Sequence, residues 1–203
     1  DGVLDVFEAA GIEKPEISIL SDDFLDEVRA MKHKNMAVEL LQKLLQDQVK
    51  AKLQVNIVQE QKFSAQLEAA VRRYQNNMIT SVEVIEELIR IAKEFREQEA
   101  RHENMGLTEE ELAFYDALAD NESAKQVLQD ETLKRLAHEL VEKIRANVSI
   151  DWTQKEAVRA SLRRMVKRLL RKYGYPPDLQ AQATELILRQ SEKFTEWNLR
   201  KER

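Results

Sequence analysis

Apolar residues recur at intervals of three and four along most of this chain, the period that puts side chains on one face of an α-helix. After Ser21, Asp22 and Asp23, a helix start is expected with Phe24, Leu25, Val28 and Met31 facing inward. The basic knot Lys32, His33, Lys34 interrupts that pattern, and Asn35 either restarts or bends the helix. A long helix is then predicted, carrying Val38, Leu41, Leu44, Leu45, Val49 and Leu53 towards Val58, followed by one marked by Leu67, Ala70, Val71, Tyr74 and Met78. Thr80 and Glu83 have capping-box spacing, with Ile79 and Val84 as the staple, and open a helix of roughly 25 residues. Its apolar face runs from Val84 to Phe95, and its polar end, Glu97 to Glu103, is expected to project into solvent before Gly106 stops it.

Thr108 and Glu111 repeat the box and open a short helix, Glu109 to Ala119. Asn121 and Ser123 can cap the next turn, and a helix from Glu131 to Asn147 turns Leu133, Leu136, Leu140, Val141 and Ile144 inward. A third box, Thr153 with Glu156, opens the clearest helix, whose face is Val158, Leu162, Met165, Val166, Leu169, Leu170 and Tyr173. Gly174 can take the left-handed cap, and Pro176 and Pro177 forbid continuation. Asp178 then favours the start of a closing helix with Leu179, Ala183, Leu186, Ile187, Phe194 and Trp197. Residues 1–20, with Gly11 and Pro15, read as a connector. The expected division is connector 1–20, long-helix segment 21–105 and C-terminal helical segment 106–203, in one bundle or two lobes.

Composition narrows this to an all-α multi-helix bundle. Four glycines and three prolines in 203 residues cannot supply the turns of a β-sandwich or a doubly wound sheet. The absence of cysteine removes disulfides and thiolate chemistry, in keeping with a cytoplasmic protein. No apolar run approaches the roughly 18 residues that cross a bilayer, so no membrane partner is expected. The chain begins with Asp1 rather than Met, which suggests a piece excised from a longer protein.

The net charge of −5 conceals a segregation: Val82 to Glu131 holds 15 acids and 5 bases, whereas Thr132 to Pro177 holds 12 bases and 4 acids. Seven of those bases, Arg159, Arg163, Arg164, Lys167, Arg168, Arg171 and Lys172, fill the outer surface of the Thr153–Tyr173 helix, with no acid between Glu156 and Asp178. They fall in two stripes, 159-163-167-171 and 164-168-172. The stripes suit DNA or an acidic partner. In the blander reading they face water, or pair with the acidic segment before them for about 0–1 kcal/mol each.

Other chemistry is poorly served. The scattered glycines cannot build a phosphate-cradling loop. His33, His102 and His138 stand alone; Glu99 and His102 have the spacing of a di-iron ligand pair, but they lack the second pair such a site needs. Pro177-Asp178 lacks the acidic-x-lysine strand of a nuclease centre and reads as a helix start. No catalytic residue, metal ligand or cofactor is therefore assigned to this chain.

Three segments resemble a known family: FLDEVRAMKHKNMAVELLQKLL (Phe24 to Leu45), GLTEEELAFYDAL (Gly106 to Leu118) and VRASLRRMVKRLLRKYGYPPD (Val158 to Asp178). In order and spacing they are similar to the C-terminal helical region of the motor and restriction subunit of type I restriction-modification enzymes. The resemblance implies a nuclease domain and two helicase-like motor domains upstream. It implies a parent subunit that hydrolyses ATP, translocates double-stranded DNA and cleaves it far from the recognition site, with ATP and Mg bound outside this region. In that family the C-terminal helices link the motor to the methyltransferase core of modification and specificity subunits, and no catalytic residue falls here. The expectation is a non-catalytic assembly domain, and the alternative an independent nonspecific DNA-binding helical module.

Overall fold

The computed structural model describes residues 20–147 and 156–201. Most of the connector, and Thr153 of the third capping box, lie outside the described residues. Nine α-helices and no strand are formed by the described residues: α1 (Asp22–Ala30), α2 (Lys34–Lys52), α3 (Ile57–Gln75), α4 (Ser81–Glu99), α5 (Arg101–Met105), α6 (Glu109–Ala119), α7 (Glu122–Asn147), α8 (Glu156–Lys172) and α9 (Gln180–Lys201). The all-α expectation holds.

Helix starts follow local chemistry. The Ser21 hydroxyl accepts from the Phe24 amide at 3.2 Å. Thr80 and Glu83 form the reciprocal box, the Thr80 amide donating to the carboxylate at 2.7 Å and the Glu83 amide to the hydroxyl at 3.2 Å. Thr108 and Glu111 do the same at 2.8 and 3.2 Å. Each cap satisfies amides that the first helical turn leaves without partners, a contribution of about 1 kcal/mol.

The chain divides into two compact units, residues 1–52 with 60–101, and residues 53–59 with 102–203. In the first, α2 packs along α4 and α1 lies on both. Phe24, Leu25, Val28, Leu41, Leu45, Leu88, Ile91 and Phe95 are buried there, and Phe63 of α3 meets Phe95 edge to face, 5.3 Å between ring centres. Arg29 bridges Asp26 and Glu86, and Arg96 joins Asp22 to the Leu20 carbonyl, both at 3.1 Å. In the second unit α6 packs on α7, α9 on α6 and α8, and α8 on α7. Leu133, Leu136, Leu140, Ile144, Leu162, Val166, Leu170, Ile187 and Phe194 fill the space between them.

Four boundaries differ from the periodic pattern, each for a physical reason. The helix expected to run towards Val58 ends at Lys52, because Val55 and Val58 pack into the second unit's core and Gln190 binds the main chain of Val55 and Ile57. Met78 is no core residue: Asn77 takes a left-handed φ of 55°, closing α3 with a Schellman turn, and Met78 emerges 69% exposed. The long helix from Thr80 stops at Glu99 and is followed by the separate α5. Its polar end is only partly in solvent, since Glu99, Arg101 and His102 are half-buried. Finally, α7 begins at Glu122, not Glu131, and is interrupted at Gln129, whose φ of 58° and ψ of 157° belong to a region that only glycine enters freely.

Candidate functional site

α8 is fixed in the second unit by its apolar face and by its C-terminal turn. Leu162, Val166, Leu169 and Leu170 are buried, with Val158, Met165 and Tyr173 packed at the margin. Gly174 adopts φ +74°, and the Tyr175 amide reaches back to the Leu170 carbonyl at 2.9 Å. Tyr175 is itself buried, which pushes its phenol up to about 12, and its hydroxyl donates to the Leu118 carbonyl at 2.7 Å. This bond ties the end of α8 to the end of α6.

The seven cations of α8 do not behave as two equivalent stripes. Three lie at the edges and are paired within the unit. Arg159 meets Glu192 of α9 at 3.1 Å, and Arg163 grips Glu185 of α9 with two bonds of 3.1 and 3.2 Å. On the opposite edge Lys172 meets Glu139 of α7 at 2.7 Å. Tyr173 donates to the same carboxylate at 2.7 Å, and the two together hold Glu139 below its ordinary pKa. The acids engaged are thus Glu139, Glu185 and Glu192, none of which lies in the Val82–Glu131 segment.

Arg164, Lys167, Arg168 and Arg171 are the other four. All are exposed, and none has an ion pair among the described residues. Their spacing of i, i+3, i+4 and i+7 collects them on one face within an arc of about 100°. That face is opposite the buried one. Ser161 and Ala157 are also exposed on α8, and no large apolar side chain is. On α9, Arg189 is exposed between Glu185 and Glu192, without an ion pair among the described residues. The three acids carried no local signal in the sequence, because their partners lie 22 residues or more away.

A family described as type I restriction enzyme HindI endonuclease subunit-like, C-terminal, matches residues 1–196. The chain belongs to that family. The HindI type I restriction enzyme endonuclease subunit of Haemophilus influenzae is 41% identical over 196 residues, covering 97% of this chain and 19% of that protein. A putative type I restriction enzyme MjaIXP endonuclease subunit of Methanocaldococcus jannaschii is 34% identical over 173 residues, 85% of this chain and 16% of its own length. No solved structure matches. In this member of the family, the segment Phe24–Leu45 is α1 and most of α2, Gly106–Leu118 is the capped α6, and Val158–Asp178 is α8 with its terminal turn.

Among the described residues of this family member, no group of three or more His, Asp or Glu side chains is placed to hold a metal ion, and no helix is long and apolar enough to cross a membrane. Glu99 and His102 fall on different helices, α4 and α5. His138 does have a defined environment, in a cleft of about 690 Å³ lined by Leu107, Glu111, His138, Glu139 and Tyr173 among others. Its Nδ1 lies 2.5 Å from Glu111, whose second oxygen holds the Thr108 cap, and Glu142 stands 3.6 Å from its Nε2.

The hydrogen bond to Glu111 raises the His138 imidazole above 6.5. Burial alone would raise the Glu111 carboxyl, but the Thr108 amide and His138 hold it below 4.5. The His contribution is complete below pH 6.5 and fades as pH rises through the higher folded value, and the Glu contribution is present above 4.5 and lost in acid. His138→Gln should therefore lower the melting temperature by a few degrees near pH 6 and by less near pH 8. Equal losses at both pH values would show that the pair contributes no charge-dependent stability.

Proposed function

We propose that this chain is a non-catalytic helical domain at the C-terminal end of a type I restriction motor subunit, and that it docks that subunit onto the modification and specificity subunits of the methyltransferase core. The parent protein would be a cytoplasmic, ATP- and Mg-dependent translocase and nuclease, with its nucleotide and metal sites outside this region. Membership of the family supports the placement, as do the names of the two relatives, each an endonuclease subunit several times longer than this chain. The observation that carries a contact role is the face of Arg164, Lys167, Arg168 and Arg171: four exposed guanidinium and ammonium groups without an ion pair among the described residues, in a fold that pairs their neighbours. Such a face fits DNA or an acidic subunit surface.

Capture on immobilised methyltransferase core, with and without bound DNA, tests the assembly role. The chain should be retained in both cases. Failure of an intact, folded chain to be retained in either case would remove it.

A further inference from the structure

We infer that the face formed by Arg164, Lys167, Arg168 and Arg171 binds the phosphate backbone of duplex DNA without reading its sequence. The inference rests on the contact role proposed above and names its partner. Two observations favour DNA over an acidic protein surface, and a third favours the duplex over a single strand.

The first is what the face lacks. The cores of protein–protein interfaces are enriched in aromatic residues and methionine, with arginine beside them, and depleted of lysine, whereas protein–DNA interfaces are more polar and far more positive. The exposed positions of α8 hold the four cations, the paired Lys172, Glu156, Ser161 and Ala157. The exposed large apolar residues of the described chain, Met78, Val82 and Val127, all lie on other segments. A protein partner would find no apolar anchor here.

The second is spacing. From Arg164 to Arg171 the helix advances about 10.5 Å, a length over which each strand of duplex DNA presents about three phosphates, about six over the two strands. Four cations within a 100° arc can each meet one. An acidic protein surface would have to present four carboxylates at the same density with no base between them, against their mutual repulsion.

The third distinguishes duplex from single strand. Single-strand binders combine a basic track with aromatic platforms for the bases. Tyr173 is half-buried with its hydroxyl on Glu139, and Tyr175 is buried on the Leu118 carbonyl, so neither ring is offered to a base.

The test is fluorescence anisotropy of the chain with a labelled mixed-sequence duplex across a potassium chloride series, beside the single strand. For four phosphate contacts the slope of log K against log salt should be about −3 to −4, and it should flatten by about 0.9 for each cation removed. Changing Arg164, Lys167, Arg168 and Arg171 together to Ala should abolish the slope while leaving the helical circular dichroism intact. Changing the paired Arg159, Arg163 and Lys172 to Ala should leave the slope in place and lower the melting temperature instead. The inference is overturned if the intact chain shows no salt-dependent duplex binding, if the paired set flattens the slope as much as the exposed set, or if the single strand binds more tightly. Loss of core capture by the exposed-set variant, with no duplex binding by the parent chain, would assign the face to an acidic protein and leave the assembly role standing. Duplex binding by a chain that the core does not capture would do the reverse.

Discussion

Phe95→Ala should destabilise the first unit by about 3–5 kcal/mol. The ring is fully buried on α4 and meets Phe63 edge to face, amid Leu88, Ile91 and Ala92 of its own helix, all fully buried as well. Truncation removes the apolar transfer term, the aromatic contact and the atoms filling the space, while the close-packed surroundings resist collapse into the void. Urea denaturation followed by far-ultraviolet circular dichroism measures the loss. Phe95→Leu retains most of the volume and should cost markedly less; if both variants unfold at the same urea concentration, the ring is not the packing element described.

A second large effect is expected in the other unit, from Gln190→Ala. The Gln190 side chain is fully buried on α9 and binds the main chain at the start of α3 twice, accepting from the Ile57 amide at 3.0 Å and donating to the Val55 carbonyl. Removing it strands a donor and an acceptor in a low-dielectric interior, at about 1–3 kcal/mol each, so a total of about 2–6 kcal/mol is expected. Gln190→Glu should be comparably damaging, because the carboxylate would turn an oxygen towards the Val55 carbonyl. Amide hydrogen exchange supplies a local readout: the Ile57 amide should lose protection in Gln190→Ala. Unchanged protection would mean that the clamp is incidental to how residues 53–59 are held.

A neighbouring polar cluster shows the same reliance on side chains to hold this irregular stretch. The buried Asp116 of α6 accepts from Asn56 at 2.8 Å and Gln59 at 3.1 Å, and Asn56 in turn accepts from the Gln59 amide. None of this was visible in the pattern of the chain. Leu53 and Val58 continue the periodicity of α2, and a periodic pattern reports which residues share a face, not which core that face will enter. Helix starts were legible because capping is local: Ser21, Thr80 and Thr108 meet partners three residues on. Gly174 was legible because so few residues can take its φ. The break at Gln129 was not, since it places a long side-chain-bearing residue at positive φ.

The basic helix shows the same limit at the level of the site. Its composition marked seven cations, and its stripes followed from 3.6 residues per turn. Their sorting into three held and four exposed depended on Glu139, Glu185 and Glu192, brought alongside by α7 and α9. Nothing in a single helix's periodicity can supply that.

Because α8 is anchored at both edges, its rotation about its own axis is gauged by ion pairs as well as by its apolar face. One residue inserted or deleted between Arg159 and Lys172 would turn one end against the other by about 100°. The helix could not then keep Arg159 on Glu192 and Lys172 on Glu139 together, and part of the cation arc would swing towards the core. This segment is therefore closed to change in length. Across relatives, the count from the first anchor to the last should stay constant.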